Sequence, residues 1–215
     1  MKAKVTVIGA GNVGAAVAND VAQKNFTREV VLLDIKEGIS EGKGLDIWES
    51  APVLGFNTYV RGTTNNYETT ADSDIIVITS GLPRKPGMSR DDLISTNAKI
   101  VKDVTEKAIA HSPDAVIIVV SNPLDVMTYA AYKTAKKASH KVFGMAGVLD
   151  TSRYRAFLAK ELQVAPQDIT ALLLGGHGDS MVPLPRYTTV SGIPVNQLIS
   201  EKRLNEIVER TKKGG

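Results

Sequence analysis

The chain has 215 residues, of which 43% are hydrophobic, and its mean hydropathy is close to zero. These values exclude a disordered or fibrous protein, and we expect a buried core. The longest apolar runs, such as residues 115–120, are too short to span a bilayer, so we expect no membrane association. The absence of cysteine excludes disulfides, thiolate nucleophiles and cysteine-ligated metals, and we expect no metal site of another kind.

The net charge is +3, from 26 basic and 23 acidic residues. Residues 1–80 carry 7 basic and 10 acidic side chains, and residues 81–215 carry 19 and 13. The positive excess is scattered and only 5% of the residues are aromatic, which is typical of solvated helix ends and not of a nucleic-acid-binding face. The first apolar strand starts within four residues of Met1, which leaves no room for a signal peptide. We therefore expect a cytoplasmic protein that binds no nucleic acid.

Short apolar runs alternate with helical patterns along the first 140 residues. Strands that are apolar throughout, each followed by an amphipathic helix, are typical of a parallel sheet covered on both faces. The sequence therefore predicts a doubly wound α/β fold. The predicted strands cover residues 4–8, 29–34, 74–79 and 115–120, and the predicted helices cover residues 13–24, 44–50, 91–111 and 124–137.

The pattern changes from Val142 onward. A short strand is followed by a predicted helix over residues 149–162, an apolar run over 169–174 that we interpret as a strand, and a helix that starts near Glu201. We expect a first domain over residues 1–144 and the start of a second, α+β domain over residues 145–215. Because this second stretch is short for a core of its own, we expect the protein to continue beyond it.

A glycine-rich pattern, G-x-G-x-x-G, covers residues 9–14 directly after the first predicted strand. A predicted helix follows it, and Asp34 ends the next strand 20 residues after Gly14. In this context the three glycines allow a tight turn, a close approach of a pyrophosphate and close packing of helix on strand, with the phosphates at the helix N-terminus. The pattern is typical of a dinucleotide-binding Rossmann domain, and an ordinary glycine-rich turn is the alternative.

Asp34 indicates which dinucleotide binds. A carboxylate there accepts hydrogen bonds from a ribose diol and repels a 2′-phosphate, which favours NAD over NADP, although the nearby Lys36 softens this repulsion. A second glycine-rich stretch, residues 38–44, superficially resembles a phosphate-binding loop. Its glycine spacing is one residue short and no Ser or Thr follows Lys43, so we assign it no phosphate site.

A hydride transfer needs a partner for the proton, and the chain has three histidines. His177 lies between glycines directly after a predicted strand, where loops carry chemistry in this fold class, whereas His111 is at a helix end and His140 lies among lysines. Asp150 and Arg153 share one face of a predicted helix. Such an acid can orient an imidazole while the arginine binds a carboxylate, although a helix cap with an ion pair is the alternative.

The stretch 81–92 has glycines at its start and middle, prolines inside it, and three cations, Arg84, Lys85 and Arg90. This composition predicts a lid that moves as a unit and brings positive charge to an anionic substrate, and a basic surface loop is the alternative. Asn122, in a Ser-Asn-Pro sequence after the next strand, can present its amide to the same crevice or simply form a turn.

Together these motifs resemble the lactate/malate dehydrogenase family over essentially the whole chain, in the family's order and with compatible spacing. The resemblance implies an NAD-dependent dehydrogenase of a 2-hydroxy acid that works as a homodimer or homotetramer. In this family one residue of the mobile loop separates the substrates, and it is glutamine in lactate enzymes and arginine in malate enzymes. Arg84 matches that position, which implies the interconversion of malate and oxaloacetate. An enclosed guanidinium facing the methyl group of pyruvate would be left unpaired, whereas a second carboxylate neutralises it.

The resemblance also implies a role for each site residue. His177 takes and returns the hydroxyl proton, and Asp150 holds the imidazole. The implied substrate-binding residues are Arg84, Arg90, Asn122 and Arg153. The implied cofactor-binding residues are Gly9, Gly11, Asn12, Val13, Gly14, Asp34, Asn97 and Asn122.

Two other functions stay open. One is a dehydrogenase for another 2-hydroxy acid such as lactate, and the other is a non-catalytic dinucleotide-binding module, if the chain is as short as written. A methyltransferase can also have a glycine-rich first turn, but it explains neither the proton relay nor the arginines.

Overall fold

The computed structural model describes residues 3–83, 87, 89–178 and 180–213, with the side chain of Arg90 left out. The chain divides into two compact units, Met1–Gly144 and Met145–Gly215. Within the described ranges, none of the helices has the length and apolar character needed to cross a membrane.

The first unit is built on a six-stranded sheet in which all neighbouring strands are parallel. Its strands lie in the order β3-β2-β1-β4-β5-β6, so the chain builds outward from β1 in one direction and then from β4 in the other. This order defines a doubly wound α/β fold and confirms the predicted fold class. The strands are β1 (Ala3–Ile8), β2 (Thr27–Asp34), β3 (Tyr59–Thr64), β4 (Ile75–Ile78), β5 (Val116–Val119) and β6 (Val142–Gly144).

Helices connect these strands, as parallel pairing requires. The longest begins directly after a capping box, in which the Ser89 hydroxyl accepts from the Asp92 amide and the Asp92 carboxylate accepts from the Ser89 amide. The Ser89 hydroxyl also donates to the Asp92 carboxylate at 2.6 Å, and this bond, together with that from the Ser89 amide, lowers the pKa of Asp92. The helices are α1 (Asn12–Gln23), α2 (Ile39–Glu49), α3 (Ala51–Leu54), α4 (Arg90–His111) and α5 (Leu124–Ala135).

The core of the first unit lies along the central strands. Val7, Leu32 and Ile76 are fully buried, because helices cover both faces of the sheet. The strand order reverses between β1 and β4, and in doubly wound folds ligands bind at the carboxyl ends of the strands at this point.

The sequence analysis missed β3. This strand contains Arg61 and Gly62 and does not form a continuous apolar run, because it lies at the edge of the sheet and pairs only with β2. Its Val60 is buried, and Arg61 Nε lies 2.8 Å from a carboxylate oxygen of Glu29 on the neighbouring strand. Tertiary pairing therefore stabilises a strand whose composition gives a weak signal.

The second unit contains α6 (Gly147–Leu162) and α7 (Glu201–Lys212), together with five two-residue strands. Its strands are β7 (Ile169–Thr170), β8 (Leu173–Leu174), β9 (Val182–Pro183), β10 (Thr189–Val190) and β11 (Ile193–Pro194). They form two small antiparallel sheets, β11-β10-β7 and β8-β9. The core of this unit includes Tyr154 and Leu158 of α6 and Leu204 of α7.

The prediction of one strand over residues 169–174 was wrong. The run divides into β7 and β8, which belong to different sheets, with Ala171 and Leu172 between them. Leu172 and Leu174 are about half exposed, so the run is not a strand buried on both faces. An apolar run predicts burial but does not specify its pairing partner, and here the partner changes within six residues.

Candidate functional site

The glycine-rich turn joins the carboxyl end of β1 to the N-terminus of α1. Gly11 is the residue before α1, and Gly14 lies in its first turn. A Cβ at Gly14 would lie 1.8 Å from the carbonyl oxygen of Gly9, so only glycine lets the helix pack this close to the turn. In contrast, a Cβ at Gly11 would meet nothing within 4 Å, and this open space leaves room for a pyrophosphate at the helix N-terminus.

Asp34, at the end of β2, contacts this turn directly. Its Oδ2 accepts a hydrogen bond of 2.6 Å from the Ala10 amide, and its Oδ1 accepts one of 3.0 Å from the Lys36 amide. Two backbone donors thus hold the carboxylate in place, and each oxygen keeps a lone pair for a further donor. The arrangement fits the recognition of a ribose diol.

Hydroxyl groups that the sequence analysis did not single out join the ends of three strands. Thr79 Oγ1 donates to the Gly9 carbonyl at 2.9 Å, and Ser80 Oγ donates to the Ile8 carbonyl at 2.9 Å. Ser121 Oγ donates to the Ser80 carbonyl at 2.6 Å. Isolated Ser and Thr residues at strand ends are common, so no local pattern distinguished these three.

A cavity of about 300 Å³ lies beside Asp34 in the first unit. Its lining includes the apolar side chains of Ile35, Ile100 and Val104 and the largely buried Tyr67. Burial raises the pKa of Tyr67 to about 12, with a smaller contribution from the carboxylates of Asp103 and Asp34. The cavity therefore has a largely apolar wall beside the Asp34 carboxylate.

A second cavity brings together Asn12, Val13, Asn97 and Asn122 with Gly11 and Gly14, all predicted as cofactor-binding residues. Asn97 is buried, and its side-chain amide mainly contacts backbone. Its Nδ2 donates to the carbonyl oxygens of Leu82 and Asn122, and its Oδ1 accepts from the Leu82 amide at 2.8 Å. Both amide protons are therefore used, and any cofactor donor would have to bind Oδ1.

The second unit brings together the predicted proton-transfer residues. Asp150 lies in the first turn of α6 with its side chain 4% exposed, and its Oδ2 lies 2.8 Å from Nδ1 of His177. A carboxylate can only accept, so Nδ1 carries the proton and Nε2 is the nitrogen left to accept one. The imidazole is 23% exposed and therefore reachable.

Arg153 binds the other oxygen of the same carboxylate. Its Nη1 donates to Asp150 Oδ1 at 3.0 Å, from one turn further along α6. Asp150 therefore has one oxygen on the imidazole and one on the guanidinium. A guanidinium has five N–H donors, so donors remain for an anion beside His177.

Two features position the segment that carries His177. The Leu173 amide donates to Thr151 Oγ1 at 3.2 Å, which ties β8 to the residue after Asp150. Gly175 has a φ of +87°, and a Cβ there would lie 2.3 Å from the carbonyl oxygen of Ser180, so the turn before His177 requires glycine. These contacts set where His177 and Asp150 meet.

The other predicted residues are not placed. Arg84 lies outside the described residues, and Arg90 is described only as the first residue of α4, without its side chain. Among the residues that are described, no three His, Asp or Glu side chains cluster closely enough to hold a metal ion.

The fold and the glycine turn define an NAD-binding protein of the doubly wound class. The profile of the lactate/malate dehydrogenase NAD-binding domain matches residues 3–144, and that of the family's C-terminal α/β domain matches residues 147–215. The chain belongs to the lactate/malate dehydrogenase family, and NAD is its cofactor.

Individual relatives agree with this assignment. The malate dehydrogenase of Cytophaga hutchinsonii is 64% identical over 212 residues, which cover 99% of this chain and 68% of the relative. The crystal structure of malate dehydrogenase from Salinibacter ruber has a TM-score of 0.93 and 58% identity, covering 99% of this chain and 67% of that one. The Plasmodium falciparum malate dehydrogenase in complex with NADH has a TM-score of 0.88 and 40% identity, covering 99% and 68%.

Proposed function

We propose that this protein is an NAD-dependent malate dehydrogenase, which transfers hydride reversibly between malate and NAD to give oxaloacetate and NADH. The observation that carries the proposal is the Asp150 carboxylate, which binds His177 Nδ1 with one oxygen and Arg153 with the other. This pairing places a proton acceptor beside an anion-binding cation, as oxidation of a hydroxy acid requires. Relatives named malate dehydrogenase, up to 64% identical, support the choice of substrate.

Asp150 and His177 carry the proton transfer. Bound NAD accepts the hydride from C2 of malate, and Nε2 of His177 takes the hydroxyl proton, so that the alcohol becomes a carbonyl. The imidazolium formed is stabilised by the ionised Asp150, which also fixes the tautomer. In the reverse direction His177 returns this proton to the oxygen of oxaloacetate.

The substrate is held by cations. Arg153 binds the C1 carboxylate through the donors that Asp150 leaves free, Arg90 polarises the carbonyl, and Asn122 helps to position substrate and nicotinamide. Arg84 pairs with the second carboxylate and so selects a four-carbon diacid. An unpaired buried guanidinium would disfavour pyruvate, and sites of this kind reject the unmatched substrate by roughly 10⁴-fold.

The first unit supplies the cofactor site. The turn formed by Gly9, Gly11 and Gly14, with Asn12 and Val13, binds the pyrophosphate, and Asp34 binds the ribose. Asn97 and Asn122 complete the cofactor contacts. The Asp34 carboxylate, held by two backbone amides, favours NAD over NADP because it repels a 2′-phosphate. Residues 1–144 thus form the NAD-binding domain, and residues 145–215 belong to the substrate domain.

We further propose that the protein acts in the cytoplasm, in the tricarboxylic acid cycle, as a homodimer or homotetramer. Apolar side chains on α2 and α3 support self-association, because Leu45, Trp48 and Leu54 are each about half exposed and Val53 is 85% exposed. Sedimentation velocity of the purified protein tests this. A single monomeric species at micromolar concentration would rule out the oligomer.

The central experiment is an assay of NADH oxidation with oxaloacetate, and pyruvate as the comparison. We expect rapid oxidation with oxaloacetate and little with pyruvate. A preference for pyruvate would indicate a lactate enzyme, and NADH binding without turnover of either substrate would indicate a non-catalytic module.

Replacing Arg84 with glutamine tests the origin of the specificity. Because Gln removes the charge that pairs with the second carboxylate, we expect kcat/KM for oxaloacetate to fall by roughly 10²-fold or more relative to pyruvate. NADH binding, measured by fluorescence, serves as the control and stays within twofold. Unchanged selectivity would remove Arg84 from the specificity role.

A further inference from the structure

The glycine turn has a charged partner on α2. Lys43 Nζ donates a hydrogen bond of 2.7 Å to the carbonyl oxygen of Ala10, the residue between Gly9 and Gly11. Lys43 belongs to the glycine-rich stretch 38–44, to which the sequence analysis assigned no phosphate site. The structure brings this lysine to the phosphate-binding turn instead.

Two side chains of opposite charge hold the Ala10 backbone. Its amide donates to Asp34 Oδ2 at 2.6 Å, and its carbonyl accepts from Lys43. Ala10 is fully buried, and both contacts to its backbone are partly shielded from water, because Asp34 and Lys43 are themselves partly buried. Hydrogen bonds to charged groups are about twice as strong as neutral ones, so the pair holds this turn firmly.

The position of Lys43 is set by packing of the helix on the sheet. In the turn of α2 before Lys43, Ser40 is buried and its hydroxyl donates to the Thr63 carbonyl of β3 at 2.9 Å. Lys43 itself is half-buried. Its ammonium therefore reaches Ala10 from a helix anchored on the edge strand, and not from a free surface loop.

The Ala10 carbonyl and the Gly11 amide belong to the same planar peptide unit. In a trans peptide these two groups point in opposite directions, so a cation bound to the carbonyl fixes the direction of the Gly11 N–H. It also polarises that N–H, which becomes a better donor. Among the described residues, Ala10 O is the acceptor that Lys43 contacts, so the ammonium is not neutralised by a carboxylate ion pair.

We propose that Lys43 is a positioning residue of the cofactor site, which orients the Ala10–Gly11 peptide toward the pyrophosphate and adds positive charge behind it. This proposal rests on the proposed cofactor-binding role of the turn. It extends that site from the glycine motif to a residue on a neighbouring helix. The charge of Lys43 also offsets the repulsion between Asp34 and the phosphates.

The test compares Lys43→Met with Lys36→Met in the purified protein. The Kd values of NADH and ADP-ribose are measured by fluorescence and calorimetry, and the KM values of NADH and oxaloacetate by assay. For Lys43→Met we expect both Kd values and the KM of NADH to rise roughly tenfold, since a charged hydrogen bond is lost. The KM of oxaloacetate and kcat should change little, and the melting temperature of the apoprotein should fall by only a few degrees, because one hydrogen bond is lost.

Lys36→Met is the matched control, because it removes the charge of an exposed lysine side chain near the same site. The hydrogen bond from Lys36 to Asp34 comes from the backbone amide and is kept. We expect it to leave both Kd values within twofold. Lys43→Arg, which keeps charge and donors, should recover most of the affinity. If Lys43→Met does not fold, Lys43→Gln replaces it, with an expected rise of about fivefold.

Several outcomes would overturn the proposal. These are unchanged Kd values in the folded Lys43 variant, an equal loss in Lys36→Met, or a parallel rise in the KM of oxaloacetate with a fall of more than about 10 °C in the melting temperature, which would indicate a purely structural role. Measurements on the wild-type protein distinguish a failure of the Lys43 proposal from a failure of the proposed function. If it neither binds NADH nor reduces oxaloacetate, the proposed function fails, whatever the Lys43 variants do.

Discussion

The two units hold their functional groups in different ways. In the first unit the sheet has strands of up to eight residues, and the turn proposed to bind phosphate presents backbone groups at the end of β1. In the second unit the strands have two residues each, and the proposed chemistry depends on the side chains of Asp150, Arg153 and His177.

This difference corresponds to two tasks, the binding of the cofactor and the transfer of a proton. A pyrophosphate is recognised by amides at a helix end, and these need only a backbone of the right shape and residues small enough to admit the ligand. The proposed proton transfer needs an imidazole in a defined tautomer, with one nitrogen free to accept the proton. The Asp150 carboxylate, 2.8 Å from Nδ1 of His177, holds that tautomer. Substitutions in the glycine turn should therefore alter cofactor affinity, and substitutions of Asp150 or His177 should alter turnover.

The largest expected effect comes from His177→Asn. Without the imidazole no group accepts the hydroxyl proton, and we expect kcat for malate to fall by roughly 10³- to 10⁴-fold. NADH affinity, followed by fluorescence titration, should stay near the wild-type value. A variant with a near-normal rate would show that the proton goes to another group.

Two glycine substitutions distinguish helix packing from cofactor binding within the first unit. In Gly14→Ala the new methyl group would lie 1.8 Å from Gly9 O, so the helix and turn must separate, and we expect the melting temperature to fall by about 5–10 °C. In Gly11→Ala the methyl group enters open space at an ordinary φ of −64°, so the fold should persist.

For Gly11→Ala we instead expect the Kd of NADH to rise about tenfold, because the methyl group occupies space that the pyrophosphate needs. Calorimetric melting and NADH titration on both variants check this. Equal melting temperatures for the two variants would contradict the packing argument. Unchanged NADH affinity in Gly11→Ala would place the pyrophosphate elsewhere.

The smallest expected effect concerns Thr151, whose hydroxyl accepts from the Leu173 amide. Thr151→Val removes this acceptor with little change in volume, and we expect kcat/KM for oxaloacetate to fall about fivefold as His177 loses its alignment with Asp150. Thr151→Ser keeps the hydroxyl and serves as the control. Similar losses in both variants would mean that the hydroxyl does not position His177.

Much of the proposed cofactor site can be predicted from the sequence, because its determinants lie close together in the chain. The six residues 9–14 contain the turn, and Asp34 follows at a characteristic distance. Lys43, Thr79 and Tyr67 were not predicted as site residues, because they reach the turn or its cavity only through the winding of the sheet. Of these three, only Lys43 belongs to a recognisable sequence pattern, the glycine-rich stretch 38–44. That pattern superficially resembles a phosphate-binding loop and gives no indication that Lys43 contacts Ala10.

In the proposed acid–base site, too, some features follow from local sequence patterns and others only from the fold. The spacing of Asp150 and Arg153 follows from helix periodicity, but Asp150 and His177 are 27 positions apart in the chain, and no local signal indicates their contact. The apolar run 169–174 predicted one strand, whereas its two halves pair in different sheets.

Local sequence patterns predict the alternation of strands and helices, the glycine turn and the chemical types of the site residues, because these depend on short-range periodicity and on backbone freedom. The place of β3 at the sheet edge, the hydrogen bond from Lys43 to the turn and the 2.8 Å contact between His177 and Asp150 depend instead on tertiary packing. Such contacts join residues far apart in the chain, and their geometry follows from how whole elements pack, which no local pattern encodes.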